Sequence, residues 1–220
     1  MSIAQGIYRR VLPAPIRYRL NRAHQARALE RLKTATCDAA NLRHEVPDLA
    51  SVAAEEWERV QAVTAQLGLA DLLGAVNHGD RRAIYQLARA LQARDILEVG
   101  THLGASTAML GLAQKQNGGG NFVTVDIADV NGPGGAWRQN GCPFPPREVA
   151  RALGVDAHFI VSPSIWYLGN TKARFDLIFL DGGHEAATVY TEIPLALALL
   201  KPGGLILLHD VYPDEQPLWD

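Results

Sequence analysis

At 220 residues, with 48% hydrophobic and 20% charged side chains, the chain can bury the core of one α/β domain plus an extension, in the balance of a soluble globular protein. A formal net charge of −2 gives no global signal for nucleic acid, and two widely spaced cysteines argue against a disulfide scaffold and fit a reducing cytoplasm. No apolar stretch reaches transmembrane length, since Lys201-Pro202-Gly203-Gly204 breaks the longest.

The charge is segregated, however. Residues 1–33 hold eight Lys/Arg against Glu30 alone, which gives +7 there and −9 on the remainder. With Ile7, Tyr8, Val11, Leu12, Ile16 and Leu20 interleaved, this arm suits peripheral contact with an anionic membrane. A solvated arm, or one packed on a partner subunit of a homo-oligomer, is the plain alternative. Residues 21–43 read as helical, and Pro47 ends that segment. Ser51 is a candidate N-cap for a helix to Leu67, with Glu55 and Glu56 in its first turns. A short helix is expected over Leu69–Val76, and Asp80 is expected to cap another through Ala93. Residues 1–79 therefore read as a basic arm and helical extension, and 80–220 as the α/β domain.

The strands follow. Ile96, Leu97 and Val99 form a short apolar run that passes through Gly100 and Gly104 into a helical pattern with Ala105, Ala108, Met109 and Leu112. Phe122–Val125 reads as a second strand ending at Asp126. From Ala128 to Pro146 the chain is irregular and rich in glycine and proline, with Trp137 in its middle, either a lid or a buried anchor. A helix over 148–153, a strand over 158–161 and a helix over 165–168 come next. Phe175–Leu180 is a strong fourth strand ending at Asp181. A helix over 185–200, with Pro194 inside it, leads through the Lys-Pro-Gly-Gly turn into a fifth strand, Leu205–Leu208, ending at His209-Asp210. Alternation of this kind predicts a doubly wound, mostly parallel sheet that binds ligands at the carboxyl ends of its strands.

Glu98, Asp126 and Asp181 each fall at a strand end. The pattern E-x-G-x-x-x-G-x-S at 98–106 is not the G-x-G-x-x-G of dinucleotide folds. With V-T-V-D at 123–126, F-D-L-I-F-L-D-G-G-H at 175–184 and L-L-K-P-G-G-L-I-L-L-H-D-V at 199–211, it resembles the Rossmann-like class I S-adenosylmethionine-dependent methyltransferases. The nearest resemblance is to their metal-dependent sugar O-methyltransferases, related to macrocin and rhamnosyl O-methyltransferases. The resemblance implies that S-adenosylmethionine lies against Glu98, Gly100, Thr101, Gly104 and Ser106. Its ribose would meet Asp126 and its adenine lie near Ser162, with Ile127 and Asp181 also against the cofactor and Asp181 and His184 as the catalytic pair. It places a divalent metal, Mg²⁺ or Mn²⁺, on Asp181, His209 and Asp210. His184 could be a general base or a ligand, or simply a residue that starts a helix; His102 would shape the glycine turn.

The physical case stands beside the resemblance. Two carboxylates at adjacent strand ends repel unless a cation lies between them, and a divalent ion there would also acidify an acceptor hydroxyl. A complete class I fold has two further strands after the fifth. Ten residues follow Asp210, too few to form them, so the expected sheet ends at the fifth strand, either truncated or covered by another subunit. The expected activity is methyl transfer to a hydroxyl of a small molecule, a sugar or glycosylated product. The alternatives are a nicotinamide-dependent oxidoreductase and a non-catalytic cofactor-binding or scaffold protein.

Overall fold

The computed structural model describes residues 52–70, 72 and 75–210; the basic arm, the 21–43 helix and Ser51 lie outside them. Five strands, β1 (Ile96–Val99), β2 (Phe122–Asp126), β3 (Ala157–Val161), β4 (Phe175–Leu180) and β5 (Leu200–Leu208), form one parallel sheet in the order β3-β2-β1-β4-β5. The chain moves outward from β1 to β3 and then returns to the other side of β1. The strand order thus reverses between β1 and β4, the place where open α/β sheets form a ligand crevice.

Side-chain alternation divides the core into two layers. Ile96, Phe122, Leu177 and Phe179 face one cluster, and Leu97, Val99, Val123, Val125, Ile178 and Leu180 face the other. The first layer is covered by α1 (Ala54–Gln66), α2 (His78–Ala90), α3 (Ala105–Gln116) and α5 (Pro146–Ala152). The second is covered by α6 (Ser164–Asn170) and α7 (Ala186–Leu197), and the four-residue α4 (Ala136–Gln139) belongs to the irregular stretch. Central β1 is buried at all four positions, hence its near-continuous apolar composition.

The helical extension shares this core. Trp57 and Val60 of α1 pack with Tyr85 of α2, and Glu56 accepts hydrogen bonds from the Tyr85 hydroxyl and Arg89 Nε, both at 2.6 Å. Two local expectations are corrected. Asn77, not Asp80, caps α2: its side chain accepts the Asp80 N–H at 3.0 Å, which places Asp80 in the first turn. Among the described residues between Leu69 and Val76 there is no helix. The buried Arg81 guanidinium instead donates to the carbonyls of Leu69, Ala70 and Val76.

The Lys-Pro-Gly-Gly turn is absorbed into β5, where the register jumps from Phe175↔Leu200 to Leu177↔Leu205. Gly203 takes the positive φ of +74° that this irregularity needs. Lys201 fastens it by pairing with Asp95 and Asp176, and Asp176 also accepts the N–H groups of Arg94 and Asp95.

Candidate active site

The glycine loop leaves β1 at Gly100, whose N–H donates to Val125 O at 2.8 Å, while Asp181 N donates to Val99 O at 2.8 Å. Gly100 adopts a φ of +96°, and a Cβ there would lie 1.9 Å from the Asp181 carbonyl oxygen, so only glycine fits between the ends of β2 and β4. Gly104 opens α3 in the left-handed region at φ +78°, packed under Pro146 of α5. Between them His102 also takes a positive φ, +43°, an uncommon conformation for a side-chain-bearing residue.

Asp126 holds this loop. One of its oxygens accepts the N–H groups of Thr101 (3.1 Å) and His102 (3.0 Å), and the other accepts Ala128 N–H at 2.8 Å. Ile127, next along, is 60% exposed, and buried Ser162 donates its N–H to Asp126 O. Asp126, Ile127 and Ser162 are thus brought to one rim beside Thr101.

Glu98 is fully buried, beneath the loop rather than on its surface. Its Oε2 accepts from Thr107 Oγ1 at 2.5 Å and Thr124 Oγ1 at 2.6 Å, Ser106 also faces the carboxylate, and Oε1 has no hydrogen-bond partner. Burial pushes its pKa up to about 7 against the pull of those hydroxyls. The sequence reading missed this group of threonines. The signal was a polar residue at a buried strand position in each of I-L-E-V and V-T-V-D.

A second group lies where β4 and β5 end. One ligand atom each from Asp181, His184 and Asp210 lies within 4.8 Å of the others, and His184 Nδ1 is 3.4 Å from Asp210 Oδ2. His209, expected with the two acids, is not in that trio. Its Nδ1 lies 3.1 Å from an oxygen of each of Asp181 and Asp210, an ion-pair approach without hydrogen-bond alignment to either, and its Nε2 is 3.1 Å from Asp80 at the start of α2. The Asp181 carboxylate, with help from Asp80 and Asp210 and against burial, raises the imidazole pKa to about 9. An imidazolium at neutral pH thereby offsets the repulsion between Asp181 and Asp210, so charge balance alone does not require a metal there.

A match to the methyltransferase-domain model spans residues 97–211, just over half of the sequence, from β1 through the end of β5. The chain belongs to the methyltransferase-domain family. Solved structures similar to this methyltransferase include cofactor-bound Rv0187 from MTB, which is 27% identical with a TM-score of 0.52, over 76% of this chain and 73% of that one. The O-methyltransferase TomG from Streptomyces achromogenes, in complex with SAM, is 22% identical with a TM-score of 0.47 over 74% and 73% of the two chains. An O-methyltransferase from Bacillus cereus, in complex with SAH, is 22% identical with a TM-score of 0.48 over 73% and 68%. Family membership sets aside a nicotinamide-dependent oxidoreductase.

Around this centre the irregular stretch is tied to itself and to its neighbours. The Trp137 indole donates to Gly132 O at 3.4 Å, Arg138 lies over its ring, and Arg147 N donates to Asn131 Oδ1 at 2.7 Å. Trp137 therefore packs within its own loop. Cys142 is buried, which pushes its thiol pKa up. Among the described residues no helix of this methyltransferase is long and apolar enough to cross a membrane.

Proposed function

We propose that this methyltransferase moves the methyl group of S-adenosylmethionine to a hydroxyl of a small molecule, a sugar or glycosylated product, with a divalent cation held by Asp181, His184 and Asp210. The observation that carries the reading is a juxtaposition. The Gly100 loop with Asp126 and the Asp181/His184/Asp210 trio lie on either side of the β1–β4 switch point, and Gly100 touches Asp181 directly. Activated methyl and acceptor would then meet at one crevice, where alignment supplies much of the rate.

The trio fits a divalent ion by its chemistry: two carboxylate oxygens and one imidazole suit Mn²⁺ as well as Mg²⁺. When bound, the ion would acidify the acceptor hydroxyl. His184 would spend a ring nitrogen on the ion when one is bound, and only without an ion would it be the base that takes the hydroxyl proton; His209, between Asp80 and Asp181, would hold Asp181 in position. The hydroxyl as acceptor and the carbohydrate class rest on the sequence resemblance.

The test is turnover with candidate glycosides, with calorimetry of S-adenosylhomocysteine run in parallel. Asp181→Asn and Asp210→Asn should each abolish turnover while leaving S-adenosylhomocysteine affinity within a few-fold. Full activity after exhaustive chelation would leave His184 as base without a metal.

A further inference from the structure

Thr124 lies at the centre of a buried hydroxyl chain that runs from Glu98 to Thr101 of the glycine loop. It stands in register opposite Glu98 across the β1–β2 pair and donates its proton to Glu98 Oε2 at 2.6 Å. Thr101 Oγ1 lies 2.5 Å from Thr124 Oγ1. Where Thr124 gives its one proton to Glu98, Thr101 is the donor of that second bond. Thr101, Thr124 and Glu98 are each at most 2% exposed, so no water competes for these bonds.

Strand periodicity adds a second fastening. Thr124 and Asp126 are two residues apart and therefore project from the same face of β2. One holds the Thr101 side chain from below, and the other holds the Thr101 and His102 N–H groups from the rim. The loop between these anchors includes His102 at positive φ, a conformation that persists only where its surroundings over-determine it. Three backbone N–H groups already take three of the roughly four acceptor positions of the Asp126 carboxylate, so accepting two hydroxyls of a ligand means releasing at least one of them.

We infer that Thr124 is a positioning residue for the cofactor loop: through its bonds to Glu98 and Thr101 it holds the Gly100–Gly104 turn in shape, so that Asp126 can exchange loop N–H groups for a ligand without the turn relaxing. The affinity part of this inference rests on the cofactor reading above.

Thr124→Val keeps shape and strand preference while deleting the hydroxyl, and Thr124→Ser restores the hydroxyl on a smaller side chain. S-adenosylhomocysteine affinity, measured by calorimetry, should fall about tenfold in Thr124→Val and stay within twofold of wild type in Thr124→Ser. Amide hydrogen exchange without ligand should quicken about tenfold at Thr101 and His102 in the valine variant, while Leu97 and Val99 in β1 keep their protection. Equal affinity and unchanged loop exchange in Thr124→Val would overturn the inference, as would equal losses in both variants. If the wild-type chain fails to bind S-adenosylhomocysteine, the cofactor reading falls and the exchange comparison alone decides. Faster loop exchange in the valine variant, with serine at the wild-type rate, then sustains the positioning role, and unchanged exchange overturns it.

Discussion

Replacing Glu98 by Gln tests the reading of the buried acid directly. The folded chain holds the Glu98 proton up to about pH 7, whereas the usual carboxyl value is 4.5. Between those limits the folded state binds a proton that the unfolded chain has released, so stability is full below pH 4.5, falls as pH rises, and levels off above 7. The displacement of about 2.5 units corresponds to about 3 kcal/mol, with no discount for solvent because the side chain is fully buried. Gln keeps an acceptor for Thr107 and Thr124 but cannot ionise, and any cost of its amide where Oε1 has no partner is the same at every pH. His209 also titrates, losing its stabilising contribution as pH rises from 6.5 through about 9, so the comparison must be between the two proteins. Urea unfolding followed by tryptophan fluorescence at intervals from pH 4.5 to 8 should show Glu98→Gln gaining about 3 kcal/mol on wild type by pH 7.5. Parallel stability curves across that range would refute a protonated, burial-shifted Glu98.

Gly100→Ala should destabilise the fold by about 2–4 kcal/mol and abolish S-adenosylhomocysteine binding, since its methyl meets the Asp181 carbonyl at 1.9 Å and φ is +96°. Thermal unfolding and calorimetry read both effects. Asp126→Ala removes the acceptor for the Thr101, His102 and Ala128 N–H groups together with the expected ribose contact. S-adenosylhomocysteine affinity should fall at least about tenfold, and unchanged calorimetry would remove Asp126 from the site.

The central strands were legible to within a residue because each is a short apolar run, closed by Asp126 in β2 and by Asp181 after β4, whereas Glu98, expected to end β1, lies inside it; burial on both faces leaves little else to fit there. The start of α2 was misread because Asn77 and Asp80 are both good capping types, and pattern alone does not say which carboxyl or amide turns inward. In the Lys-Pro-Gly-Gly stretch a turn before a strand at Leu205 was expected, whereas β5 begins at Leu200 and the glycines mark a register shift within it. Lys201 bound between Asp95 and Asp176 nevertheless keeps the chain paired to β4 across it. Topology brought Asp181 and Asp210 together, as neighbouring strands must. It could not say which histidine joins them, since that depends on the positive φ of Asp210 and on Asp80 reaching across from α2. Thr124 beside Glu98 escaped notice because a β-branched residue in a strand looks like packing until its hydroxyl finds a partner.

The contact between Asp80 and His209 joins residues 129 apart in sequence, whereas the bond from Thr124 to Glu98 spans only 26. Closing the longer loop costs roughly 1.4 kcal/mol more chain entropy. The fastenings of the glycine turn thus form within one short, contiguous stretch of polypeptide, while the acidic rim waits for the last strand to dock. A thermal or mechanical load that peels β5 from the sheet edge would take the rim apart and leave the turn standing.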